Sequence, residues 1–257
     1  MSVTPSLLDA CLLAGTTFVA GTIDAIAGGG GLVTVPALLA VHLPPRLALG
    51  TNKGQSAFGS GAALVRYWRS GLVDRKRVLQ VFALAFGGSL GGATLLLSLS
   101  PAILRPLVLG LLVAAAVFIA VRKPPKSSAS RPVTRARRLS ALALTLVIGG
   151  YDGFFGPGTG TFLIVVFVGL LGETMQRASA NAKVANFGSN LAALLLFWSR
   201  GVIVWPYALP MALAQLGGGS LGAHLAVKVG DRLVRTVVLV VCTALVVKIA
   251  VDLVGAR

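Results

Sequence analysis

The sequence predicts an all-α polytopic membrane protein, with about ten transmembrane segments arranged as two inverted five-segment repeats. Three features predict it. Of 257 residues, 56% are hydrophobic and 12% charged, at a mean hydropathy of +0.88, whereas soluble domains carry about 25% charge. Apolar stretches recur from end to end, most of them near the roughly 20 residues needed to cross about 30 Å of hydrocarbon. The second half of the chain also repeats the first. The 32 glycines fit the same class, because glycine lets membrane helices approach closely.

The apolar stretches fall at 6–27, 32–43, 47–65, 78–97, 102–121, 139–155, 161–171, 182–198, 205–227 and 233–254. No Lys or Arg precedes Arg46, and a secretory signal needs a basic start. Residues 1–28 are therefore expected to form the first membrane segment. Two stretches are short. Stretch 32–43 follows Gly28-Gly29-Gly30-Gly31, and 161–171 follows Gly156-Pro157-Gly158-Thr159-Gly160. At 1.5 Å per residue each reaches about 18 Å, which predicts half-length or re-entrant helices. Residues 122–138, RKPPKSSASRPVTRARR, are rich in Pro, Ser and basic residues and have no apolar face. They read as a cytoplasmic linker between a first transmembrane repeat, 1–121, and a second, 139–257.

The repeat is visible residue by residue. Asp24 and Gly28 match Asp152 and Gly156 at an offset of 128. Asn52, Phe58, Gly59 and Ser60 match Asn181, Phe187, Gly188 and Ser189 at 129. Trp68 and Gly71 match Trp198 and Gly201 at 130, and Gly87, Gly88 and Gly91 match Gly218, Gly219 and Gly222 at 131. Four matches in order, drifting by single residues, mark a duplication with small insertions. The glycine pairs 87/91 and 218/222 are read as helix-packing contacts.

An odd number of spans per copy forces the two halves into opposite orientations. With the linker inside, ten crossings place the basic groups at 66–77 and 228–235 inside and the Arg200 loop outside. The positive-inside rule prefers this arrangement, with both termini outside, over eight crossings. The net charge of +16 then belongs to cytoplasmic loops that hold anionic lipid headgroups. A nucleic-acid surface would interleave aromatics with the basic residues, and none is expected. Cys11 and Cys242 lie inside apolar stretches and suggest neither a disulfide nor a metal site. Residues 217–222 satisfy G-x-G-x-x-G but sit in an apolar helix after no strand. Seven acids and the isolated His42 and His224 offer no nucleophile, base or metal set, so neither an enzyme nor a cofactor is expected.

Short, glycine-interrupted segments at matching positions of two halves point to a transporter site near the midplane. Unwound backbone is tolerated there only where protein buries it or a cavity borders it. Gly28, Gly29, Gly30 and Gly31, with Gly156, Gly158 and Gly160, are expected to supply backbone donors and hinges. Half-helix N-termini beside them suit an anion. Ionisable residues within apolar stretches are functional candidates. Lys53 follows Asn52, between Thr51 and Gln55, and Lys183 follows Asn181 in Asn181-Ala182-Lys183. Together with Asn186 and Asn190 these residues would bind a small oxyanion, the lysines giving charge and the amides orienting its oxygens. Asp24 and Asp152 stand four residues before each break. Three roles are open to them: carrying a coupling proton, pairing with a lysine of the opposite half, or capping a helix end.

These residues resemble a known family. Ile23-Asp24-Ala25-Ile26-Ala27 with the glycines that follow, then Pro36-Ala37-Leu38-Leu39 and Ala48-Leu49-Gly50-Thr51-Asn52-Lys53, are similar to the first repeat of the sulfite exporter TauE/SafE family. Residues 151–160, YDGFFGPGTG, and the later Lys183 resemble its second repeat. Asn181 departs from the histidine expected ahead of the second lysine. The resemblance implies a multi-pass permease of the bacterial inner (cytoplasmic) membrane that carries sulfite, sulfonates or other small sulfur-containing anions. A proton or another ion would couple the transport. A passive anion channel and a membrane-embedded lipid-modifying enzyme are the alternatives.

Overall fold

The computed structural model describes residues 6–121, 133–234 and 236–237, and nine α-helices fill most of this range. They are α1 (Leu7–Ala27), α2 (Gly31–Ala40), α3 (Pro45–Arg69), α4 (Val78–Ser98), α5 (Pro101–Val121), α6 (Arg135–Phe154), α7 (Thr159–Leu171), α8 (Met175–Ser199) and α9 (Trp205–Val229). Most of the tenth apolar stretch, 233–254, lies outside the described residues, as do Cys242 and residues 122–132 of the linker.

Local sequence sets several helix starts. Ser6, Thr134 and Thr174 cap α1, α6 and α8 by accepting the backbone N–H of Asp9, Arg137 and Arg177. Such hydroxyl caps satisfy donors that have no partner within the helix. The Thr134 cap also corrects the linker boundary: its last four residues, Arg135 to Arg138, are the first turn of α6. The two short stretches form α2, with 10 residues, and α7, with 13. At 1.5 Å per residue they reach only about 15 and 20 Å.

Helices α1, α4 and residues Pro101–Phe118 of α5 are long and apolar enough to cross a membrane. Helices α3, α6, α8 and α9 have comparable lengths, 20 to 25 residues, and carry more polar groups. The outward faces are apolar: Leu12, Leu79, Val113, Val147 and Leu213 are all exposed. A surface of this kind is suited to lipid and would associate in water.

The packing is the same when the halves are exchanged. Helix α1 packs along α9 as α6 packs along α4, and α3 meets α9 as α8 meets α4, with α3 and α8 in contact between them. Small residues make the first two contacts close. Gly218 and Gly222 lie against the backbone of Phe18 and Thr22, and Gly88 and Gly92 against that of Leu146 and Gly150. Each pair is a small-xxx-small contact with no room for a side chain. This corrects the register read from sequence. Gly87 and Gly91 face open space, so the structural partners of Gly218 and Gly222 stand 130 residues earlier, not 131.

Candidate functional site

Both helix breaks come together at the centre. Gly28, which ends α1, has φ +75°, and Gly156, between α6 and α7, has φ +99°. L-residues with side chains rarely adopt this region. The backbones touch: a Cβ on Gly28 would come 2.6 Å from the Gly160 Cα. Ending α1 at this depth frees carbonyls that water cannot reach, and three other helices satisfy them. Tyr67 Oη donates to Ala25 O at 2.8 Å, Ser179 Oγ to Ile26 O at 2.7 Å, and Thr161 Oγ1 to Ala27 O at 3.0 Å. Irregular backbone inside a membrane protein needs this kind of internal satisfaction.

The charged residues are paired crosswise between the halves. Lys53 Nζ, on α3, lies 2.7 Å from Asp152 Oδ1 on α6, and it donates to Asn190 Oδ1 at 2.9 Å. Lys183 Nζ, on α8, lies 2.7 Å from Asp24 Oδ2 on α1. Asp24 Oδ1 also accepts the Gly30 N–H at 3.1 Å, so this acid both pairs and caps. Asp152 further accepts from Thr159 Oγ1 at 3.0 Å and from Ser189 Oγ. Two cations and two carboxylates leave the cluster with no net charge. The lysines are not free positive charges.

A polar cavity of about 30 Å³ opens between these groups. Asp24, Asp152, Asn52, Lys53 and Asn186 line it, together with Gly31, Gly156, Gly158 and Gly160. Ser56, Thr159, Asn190 and Gln215 complete the wall. Sequence reasoning passed over Ser56, Thr159 and Gln215. Ser56 stands three residues after Lys53, on the same helical face. Gln215 is the only amide in the apolar run of α9, which is the signal that could have found it.

Other expected site residues lie behind or away from the cavity. Gln55 Nε2 donates to Asn52 Oδ1 at 2.9 Å, as Thr34 Oγ1 does at 2.6 Å. Gln55 therefore orients Asn52 from behind. Lys183 reaches the cavity only through Asp24, and Gly28, Gly29 and Gly30 shape the break beside it. Thr51 Oγ1 accepts the Val204 N–H at 3.0 Å.

Asn181 faces a different way. Its Oδ1 accepts the Asp74 N–H at 2.8 Å, and its Nδ2 donates to Glu173 Oε2 at 2.9 Å. Two residues from Lys183 is about 200° around a helix, so Asn181 and Lys183 point in opposite directions. Thr51 and Asn181 hold Val204 and Asp74 in the same way, each pair 130 residues apart. The structural counterpart of Asn181 is thus Thr51, and Lys53 and Lys183 are in register.

A helical membrane bundle with two broken helices meeting at a buried ionic cluster is the architecture of a membrane transporter. The model of the family described as "Sulfite exporter TauE/SafE" matches residues 13–249. The chain belongs to the sulfite exporter TauE/SafE family. It is 37% identical over 235 residues to "Probable membrane transporter protein ORF9" of Sinorhizobium sp, covering 91% of this chain and 90% of that one. It is also 37% identical to a "Probable membrane transporter protein" of Haemophilus influenzae, over 91% of this chain and 92% of the relative. With "Probable membrane transporter protein YfcA" of Escherichia coli K12 the identity is 35%, over 94% and 91% of the two chains. No solved structure matches the chain.

Proposed function

We propose that the chain is a secondary transporter of the bacterial inner membrane. It carries a small sulfur-containing oxyanion, sulfite or an organosulfonate, by alternating access of two inverted five-segment repeats. The observation that carries this reading is the crossed pairing of Lys53 with Asp152 and Lys183 with Asp24, around one polar cavity where both helix breaks meet. Each ion pair joins one half to the other, so rocking the halves apart must break or rebuild it. The N-terminal ends of α2 and α7 add backbone donors suited to an anion.

Charge balance supports coupling. A bare anion added to a neutral buried cluster leaves one uncompensated charge in a poorly hydrated site, which is strongly unfavourable. A proton arriving with the anion removes that charge by neutralising one carboxylate and releasing its lysine. Asp24, whose side chain is 22% exposed against 4% for Asp152, is the more open acceptor. A passive channel would share these donors but would need a continuous wet path. A cavity of about 30 Å³ is room for only one or two waters, which favours the carrier.

The test is uptake of labelled sulfite, an organosulfonate and sulfate into proteoliposomes, with counterflow of preloaded substrate. Saturable flux with counterflow is expected, accelerated by an inward proton gradient. Flux without saturation or counterflow would move the protein to the channel class. Absence of any anion flux would remove the substrate reading.

A further inference from the structure

Gln215 of α9 stands in the cavity wall, and nothing in the fold accounts for its amide. The side chain occupies a slot between α1 and α3 that exists only because two residues there are glycine. A Cβ on Gly21 would come 2.6 Å from Gln215 Oε1, and one on Gly59 would come 2.8 Å from its Cδ. Gln215 is 3% exposed, its Oε1 is buried without a hydrogen-bond partner, and no described residue bonds its Nε2. Asn186, 4% exposed and in the same wall, has an equally unpartnered Oδ1. Buried amides in proteins are ordinarily hydrogen-bonded, because leaving them unpaired is unfavourable.

The duplication provides an internal comparison. The glycine contacts of α4 and α9 correspond at 130 residues, which places Ala85 opposite Gln215. At Gly149 of α6 the Ala85 backbone lies close, whereas at Gly21 of α1 it is the Gln215 side chain that does. The Ala85 side chain is fully buried and carries no polar atom. The other half thus closes by direct backbone approach, whereas here a side chain fills the slot between α1 and α3; packing requires that volume but not a polar amide.

We propose that Gln215 is a substrate contact, its Nε2–H donating to an oxygen of the bound anion beside Asn186. This inference rests on the anion-transport reading above. Because Lys53 and Lys183 are already paired with carboxylates, neutral amide donors recognise the oxygens, and the one-sided position of Gln215 selects among oxyanions by size and oxygen number.

The test uses the purified full-length protein in detergent, with sulfite, sulfate and ethanesulfonate as probes. Thermal melting and calorimetric titration compare wild type with Gln215→Met, which keeps the length but loses the donor. Gln215→Ala, the residue of the other half, is the second variant. Without ligand, Gln215→Met is expected to melt at or above the wild-type temperature, since the slot stays filled and no protein hydrogen bond is lost. Gln215→Ala leaves a cavity and should melt lower. Both variants should bind sulfite about tenfold more weakly or worse, the size expected for one hydrogen bond to a charged group. They should also discriminate less among the three anions. Variants that bind all three with wild-type affinity and ranking would overturn the proposal and leave the anion reading intact. Lower ligand-free melting in Gln215→Met would overturn it too, by assigning the amide a structural role. A wild type that none of the probes binds would remove the anion reading and this proposal with it.

Discussion

Lys53 Nζ lies 2.7 Å from Asp152 Oδ1, and the two residues, 99 positions apart, belong to opposite halves of the chain. The second pair, Lys183 and Asp24, repeats the relationship with the halves exchanged. Both lysine ammonium groups are buried. An ion pair removed from water gains little net stability, because desolvation offsets most of the attraction, but removing one partner strands a buried charge. Retaining two such pairs at the meeting point of two broken helices makes sense if the pairs are opened during a transport cycle.

Replacing one member should therefore be worse than replacing both. Lys53→Met leaves Asp152 buried without its cation and is expected to destabilise the protein by about 3–5 kcal/mol. The double variant Lys53→Met, Asp152→Leu should recover most of that loss, because an apolar pair removes the stranded charge. Transport should be lost in both. Thermal melting in detergent and proteoliposome flux separate the two effects. A double variant no more stable than the single one would show that the pair's hydrogen bonds to Asn190, Thr159 and Ser189, not its charges, hold the site.

Gly28 is the residue where the two breaks touch. Gly28→Ala adds a Cβ close to the Gly160 Cα at a φ of +75°, combining left-handed strain with overpacking. The expected loss is about 3 kcal/mol. Gly87→Ala meets nothing within 4 Å and should instead gain about 0.5–1 kcal/mol from helix propensity. Melting temperatures of the two variants check both signs at once.

Much of this arrangement was legible in the sequence. Stretch lengths marked α2 and α7 as short, and the matched Asp and Gly pairs marked the breaks, because composition and spacing are local properties. Faces were harder to read. Matching identical letters aligned Asn52 with Asn181 and Gly87 with Gly218, whereas the structure pairs Thr51 with Asn181 and Gly88 with Gly218. Equivalent positions kept their geometry while their residue types changed. The partners of Lys53 and Lys183 lie 99 and 159 residues away, and the slot for Gln215 depends on where α9 crosses α1 and α3. No local pattern encodes either one.

The corrected register separates two asparagines that look alike in sequence. Asn186→Ala removes a cavity amide whose Nδ2 donates to no described residue, so anion affinity should fall about tenfold while ligand-free melting barely changes. Asn181→Ala strands the Asp74 N–H and a Glu173 oxygen. It is expected to destabilise by about 1–3 kcal/mol with affinity unchanged. Anion titration and melting of the two variants decide the matter, and an affinity loss confined to Asn181→Ala would reverse the assignment.

The contact that Asn181 supports also has a pH signature. Between α3 and α4, burial pushes the Asp74 carboxyl up. The hydrogen bond and charge of Arg77, the Lys76 N–H and the charge of Arg177 outweigh burial and hold it below the ordinary carboxylate range. Arg77 pairs at once with Glu173, before α8, so this cluster ties the two halves together outside the membrane helices. A carboxyl depressed in the folded state stabilises it fully above the ordinary value, near 3.9, and that contribution is lost as pH falls through the folded value. Protection of the backbone amides of residues 70–77 from hydrogen exchange should hold from pH 8 to about pH 4 and then decline. In Asp74→Asn the protection should be reduced at neutral pH and lack that decline. A loss of protection between pH 6 and 7 in the wild type would contradict this, since a depressed carboxylate does not titrate there.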